Sequence, residues 1–256
     1  MKSLLLVTLL IAASIAHGQS QDAAIIEPDL RDGFMQGGDG ADTLPNAGTR
    51  GGFFAIRNRD GRVEIVESDF QKKKALKFSP TAELSVEEVG LPCLKYDDMP
   101  EDFSRGVTFQ ARIKPDPDWM LAESDVLSAR TSDRGPGMAV IYRPVNRLLD
   151  VLSGEGGESG NFWGIISNKL TEISPSDWTH VAAVYDPEKK QFRLYRDGQL
   201  IVESEEGLTL TAMDKVLTIG AYRGGYAYPF RGEMTDIAIY DYVRSPEQIS
   251  EDAKGQ

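Results

Sequence analysis

Alternation of apolar and polar residues with a period of two is the feature that most narrows what this chain can become. From Gly106 to Lys114, Val107, Phe109, Ala111 and Ile113 fall on one side, while Thr108, Gln110, Arg112 and Lys114 fall on the other. That is a strand with one dry and one wet face. Pro115 and Pro117 end it, because a proline cannot donate to a ladder. The same period recurs along the chain between Gly, Pro, Asn and Asp, and beyond the first residues no apolar pattern at helical spacing persists for three turns. The fold class is therefore all-β.

Strands are expected over residues 53–57, 62–67, 75–78, 83–86, 126–130, 138–143 and 148–152, with Asp60-Gly61 supplying the positive φ that a hairpin turn needs. Residues 87–102, carrying Pro92 and Pro100, read as an excursion between strands, and 153–160 as a loop. Residues 29–52, dense in Gly and Asp, read as extended coil with little core-forming content. In the second half, strands are expected over 178–185, 191–195, 199–204, 216–221 and 234–242, the second and third joined by the turn Asp197-Gly198. Ser245-Pro246-Glu247-Gln248 offers an N-cap, a Pro at the first helical position and a Gln three residues after the cap, so one short helical turn closes the domain.

Lys2, the apolar run from Leu4 to Ile11 and the small residues Ser14, Ala16 and Gly18 have the layout of a secretory signal peptide, residues 1–18, with cleavage before His17 or before Gln19. The run is too short to remain as a membrane span. A secreted or periplasmic protein is expected, with residues 19–73 a leading segment and first hairpin, part of the sandwich, and 74–252 its core. Removing 18 of 256 residues leaves 238, and losing Lys2 leaves 27 basic against 40 acidic residues, a net charge of 27 − 40 = −13. Such a surface repels phosphate backbones, which excludes nucleic acid as a partner. Cys93 is the single cysteine, so no internal disulfide exists, and Leu91, Pro92 and Leu94 around it predict a half-buried, inert thiol.

The run Asp177-Trp178-Thr179-His180-Val181-Ala182-Ala183-Val184-Tyr185-Asp186, then Leu194-Tyr195-Arg196-Asp197-Gly198, Leu217-Thr218-Ile219-Gly220, Phe230-Arg231-Gly232, Ile237-Ala238-Ile239-Tyr240 and Ser245-Pro246-Glu247-Gln248-Ile249 resemble, in order and spacing, the LamG-like jelly rolls of the concanavalin A-like lectin/glucanase superfamily. Upstream, residues 74–78 and 109–115 resemble that family's earlier strands, so the likeness covers most of residues 74–250. It implies a two-sheet antiparallel jelly-roll sandwich, on which Trp178 and Tyr240 pack and His180 is structural. It leaves function open, because one sandwich hosts lectins, adhesion modules, glycosidases and lyases.

Glycosidases of the laminarinase type on this fold carry a Glu-x-Asp-x-(x)-Glu strand. Here Glu67-Ser68-Asp69 and Glu123-Ser124-Asp125 begin the pattern, and both lack the second glutamate. Nor is there a nucleophile elbow, a zinc spacing or a phosphate loop. No motif requires a cofactor. The resemblance implies a structural calcium between the leading segment and the final strand, with Asp32 and Asp236 as candidate ligands. The family's Asp aligns with Thr235, and a one-residue offset is expected to turn Asp236 to the opposite sheet face.

The remaining chemistry lies in the loop 222–231, which crowds Tyr222, Tyr226 and Tyr228 with Arg223. Aromatic faces stack on sugar rings, and Arg orients hydroxyls. These four residues, with Trp119 and Trp163 as loop candidates elsewhere, are the expected ligand contacts. The sequence thus predicts a secreted, non-catalytic binding or adhesion module with a glycan ligand. The alternatives are a protein-interaction module without a sugar site, its partner an extracellular protein, and a polysaccharide-degrading enzyme. Oligomeric state is not legible.

Overall fold

The computed structural model describes residues 23–37, 42–57, 62–81, 91–132, 135–154, 162–165 and 169–255. Among them, two antiparallel sheets stack as a sandwich. The larger has nine strands in the order β1 (Met35–Gln36), β2 (Asp42–Pro45), β3 (Phe53–Arg57), β6 (Cys93–Tyr96), β15 (Leu217–Ile219), β8 (Ser124–Arg130), β9 (Gly137–Arg143), β10 (Leu148–Gly154) and β11 (Phe162–Ile165). The smaller has seven, in the order β14 (Gln199–Glu203), β13 (Gln191–Arg196), β12 (Thr179–Asp186), β7 (Val107–Pro115), β16 (Gly232–Tyr240), β5 (Lys74–Phe78) and β4 (Val63–Glu67).

The core fills the space between the sheets. Leu44, Phe54, Leu94, Leu127, Val140 and Ile219 from the larger sheet meet Leu76, Phe109, Val181, Leu194, Met234 and Ile239 from the smaller, all buried. Each such side chain contributes roughly 1.5–3 kcal/mol, which serves in place of disulfides. Cys93 is buried on the other face of β6, where loss of water pushes its thiol up to about 12.

Three sequence expectations need correction. Residues 87–102 include β6, which sits between β3 and β15 in the larger sheet. Four residues beside Pro92 are too short to display alternation, so the strand was hidden. Residues 29–52 are more than coil. They supply β1 and β2, with Leu44 fully buried, and just before them Ile26 bridges to Ile239. Single apolar residues among glycines carry no period. The closing helical turn is a nine-residue helix, α1 (Pro246–Lys254), with a complete capping box between Ser245 and Gln248. Its one buried apolar residue, Ile249, packs on Ala182, Val184 and Tyr195, so α1 covers the outer face of the smaller sheet. The expected strand 83–86 and the turn 58–61 lie outside the described residues.

Candidate functional site

β15 ends at Ile219, and the next residue is Gly220, whose φ of +84° and whose close approach to the Phe78 ring, 2.5 Å from where a Cβ would stand, leave room for glycine only. From there the chain swings across the outer face of the larger sheet. The Gly224 amide donates to Thr218 Oγ1 at 2.8 Å, the Tyr222 amide to the Ala227 carbonyl at 2.9 Å and the Asp125 amide to the Tyr228 carbonyl at 2.9 Å. The loop is thereby pinned to β15 beneath it and to β8 beside it.

The expected ligand contacts divide within this loop. Tyr222 is 2% exposed, its ring lying under the Arg130 guanidinium at 4.8 Å and 5.8 Å from the Tyr228 ring. Tyr228 is half-buried, whereas Arg223 is exposed and Tyr226 is 49% exposed. Trp119 is 4% exposed, and its indole N–H donates to Ser124 Oγ at 3.1 Å and the Pro229 carbonyl at 3.2 Å. It is a brace at the foot of the loop rather than a ring open to solvent. A short Pro-Asp-Pro-Asp lead-in gave the sequence no period from which to read that burial. Trp163 stands in β11 opposite Ser153 of β10, at the far edge of the larger sheet from β1, and is not brought to the loop by this register.

Beneath the loop lies a chain of alternating charges. Asp125, fully buried, pairs with Arg130 at 2.9 Å; Arg130 reaches Glu123 at 3.6 Å; Arg143 joins Glu123 at 3.5 Å and also pairs with Asp150. Loss of water around Glu123 and the nearby Asp125 raise its pKa above the usual glutamate value. The Glu-x-Asp beginning noted in the sequence is thus a real pair on one face, but Ser128 supplies no second acid and both carboxylates face guanidinium groups. The guanidiniums neutralise this face from within. Sequence reasoning missed Arg130, whose position on the same strand face as Asp125 became visible only through the register of β8 against β9.

The leading segment and β16 enclose a groove of about 760 Å³ lined by Glu27, Asp29, Lys73, Thr235 and Asp236 among others. Asp32 is exposed and does not line it. The expected face of Asp236 is corrected by a bulge. Thr235 pairs with Arg112 and Ala238 with Gln110, so two residues of β16 oppose one of β7, and Asp236 takes φ +49°. The extra residue leaves the Asp236 carboxylate beside Arg112, on the face Thr235 occupies. There it meets cations of the protein: Lys73 Nζ lies 3.1 and 3.3 Å from its two oxygens, and Arg112 Nε 3.3 Å from one. Asp29 is held by Arg31, whose hydrogen bonds bring its pKa down to about 2. Among the described residues no group of three or more His, Cys, Asp or Glu is arranged to hold a metal. Calcium takes six to eight oxygen ligands, so the residues here do not fit it.

Trp178, expected in packing, is half-buried on the outer face of the smaller sheet, donating to Asp69 Oδ1 at 2.6 Å with its ring 5.9 Å from Phe70.

No curated protein sequence matches the chain. Among solved structures, a heptameric SAP-like pentraxin from Limulus polyphemus is similar at 20% identity and TM-score 0.50, covering 69% of this chain and 80% of that one. Domain 4 of the extracellular arabinanase AbnA from Geobacillus stearothermophilus, solved with arabinotriose, is similar at 14% identity and TM-score 0.57, covering 77% and 83%. The botulinum neurotoxin type G receptor-binding domain is similar at 11% identity and TM-score 0.59, covering 90% of this chain and 51% of that one. These likenesses concern the fold. Residues 95–250 match the family described as the concanavalin A-like lectin/glucanases superfamily, and the chain belongs to it.

Proposed function

We propose that this protein is a non-catalytic binding module that acts outside the cytoplasm and grips a glycan with the loop 222–228. The observation that carries this reading is the exposed Tyr226 on a loop pinned by backbone hydrogen bonds, with exposed Arg223 close in sequence. A ring held in place loses little freedom when a sugar stacks on it, and an exposed guanidinium on the same loop can bind hydroxyls. Tyr222 and Tyr228 support the loop from below. A catalytic reading is less well supported, because Glu123, Asp125 and Asp150 are each engaged by Arg130 or Arg143. A fold relative solved with arabinotriose makes arabinan oligosaccharides a sensible first probe.

Affinity electrophoresis through gels containing arabinan, xylan or laminarin tests the proposal. Retention by one of them, lost in Tyr226→Ala and reduced in Arg223→Ala, is the expected result. Unretarded migration through every gel, or retention that Tyr226→Ala leaves intact, overturns the loop as the site. Export is tested separately by N-terminal sequencing of the mature chain, which should begin at His17 or Gln19.

A further inference from the structure

On the sheet opposite the loop, a cleft of about 550 Å³ opens between α1 and the strands β7, β12 and β16. Three of its lining side chains are almost wholly buried: His180 is 1% exposed, Gln110 5% and Arg244 6%. Four of their polar atoms have no hydrogen-bond partner in the protein, namely both ring nitrogens of His180, Oε1 of Gln110 and Nε of Arg244. A buried polar atom left unpaired is costly, and such atoms call for a specific explanation. Here the atoms belong to side chains that line one cleft, whose volume falls in the range of about 300–1,000 Å³ usual for small-molecule sites.

The chemistry of the four atoms defines what would satisfy them. Burial first, and then the Arg112 guanidinium, push the His180 pKa down to about 4, so its ring is neutral near pH 7 and offers one donor and one acceptor. Gln110 Oε1 adds an acceptor and Arg244 Nε a donor. Two donors and two acceptors match hydroxyl groups, each of which both gives and takes a hydrogen bond. A carboxylate would leave the acceptors unmet and face Glu27, Asp236, Glu251 and Asp252 around the cleft, while an ammonium group would face Arg244 and Lys73. Ile237, Ala238 and the Tyr240 ring give the cleft an apolar side suited to ring C–H groups.

We infer that this cleft is a second binding site, separate from the tyrosine loop, and that it takes a neutral polyhydroxylated molecule such as a single sugar residue. The test is a titration of the full chain with D-glucose, D-galactose, L-arabinose and glycerol. The His180 ring nitrogens are followed by ¹⁵N NMR; only His17 and His180 are histidines, so assignment is direct. A saturable shift with at least one probe is expected. It should persist in Tyr226→Ala, weaken about tenfold in Gln110→Leu through loss of one acceptor, and weaken also in Arg244→Lys, which keeps the charge but removes the Nε donor. Ring nitrogens that stay unmoved by every probe, or shift without saturating, mean that the cleft holds only water and overturn the inference. Equal binding by folded Gln110→Leu and Arg244→Lys overturns it too, and loss of the shift in Tyr226→Ala overturns the separateness of the two sites.

Discussion

Lys73 Nζ lies 3.1 Å from Asp236 Oδ1, joining residues 163 positions apart in the chain. The turn before β5 is thereby tied to the bulge of β16, beside Glu27 of the leading segment. An ammonium group of the protein occupies the place where the fold family's calcium was expected.

A chelator should therefore leave the melting temperature unchanged, whereas Lys73→Met should lower stability by about 1–2 kcal/mol, since the pair is partly shielded from water and Arg112 remains as a second partner. Thermal unfolding with and without EDTA, and urea unfolding of the variant, measure both. A fall in melting temperature on chelation would contradict this account.

Stability should drop between pH 6.5 and about 4 because of His180. Its folded pKa is lowered to about 4 from 6.5, so the unfolded chain binds the proton first as pH falls. The stabilisation is complete above pH 6.5 and is lost on the way down to pH 4, amounting to roughly 3 kcal/mol for the shift alone. Urea midpoints across this range should decline in the native chain and decline less in His180→Phe.

Arg130→Met should cost about 3–5 kcal/mol, because it removes the guanidinium paired with the fully buried Asp125 carboxylate. Replacing both, as Asp125→Leu with Arg130→Met, should recover much of that loss. A double-mutant cycle in urea reads the coupling; additive single losses would mean that the pair is not acting as one unit.

Gly220→Ala should destabilise by about 1–3 kcal/mol through overpacking against Phe78, with further cost from the positive φ. The same variant should weaken glycan retention, since the strand-to-loop exit sets the position of Tyr226. Tyr226→Ala, by contrast, should change the urea midpoint little, because the ring is largely exposed.

Much of the sandwich was legible because alternation survives wherever one strand face is dry. The stretch 106–114 became β7, and the Asp197-Gly198 turn joins β13 to β14 as expected. The hidden elements failed for identifiable reasons. β6 is too short to display a period, and β2 carries only Leu44 as a buried apolar residue. The candidate site was legible in composition but not in depth. The three loop tyrosines look alike in sequence, yet Tyr222 lies under Arg130 and Tyr226 stands in solvent. That difference depends on a strand nearly a hundred residues earlier. The Asp236 orientation required knowing that β16 carries a bulge, which no local pattern announces. Gln110 and Arg112 fall on the polar side of the alternation, and helix α1 is what covers that face.

The position of β6 between β3 and β15 has a practical corollary for anyone trimming this protein to its homologous segment. Residues 95–250 begin partway through β6 and omit β1 to β5. A fragment cut there would shed four ribbons from one side of the larger sheet, counting the severed β6, and two from the smaller. Phe230 and Met234 would lose Phe78 and Leu76 as neighbours. The unit expected to melt as one body is therefore longer than the matched stretch, and libraries or fusions designed on that stretch alone should yield insoluble chains.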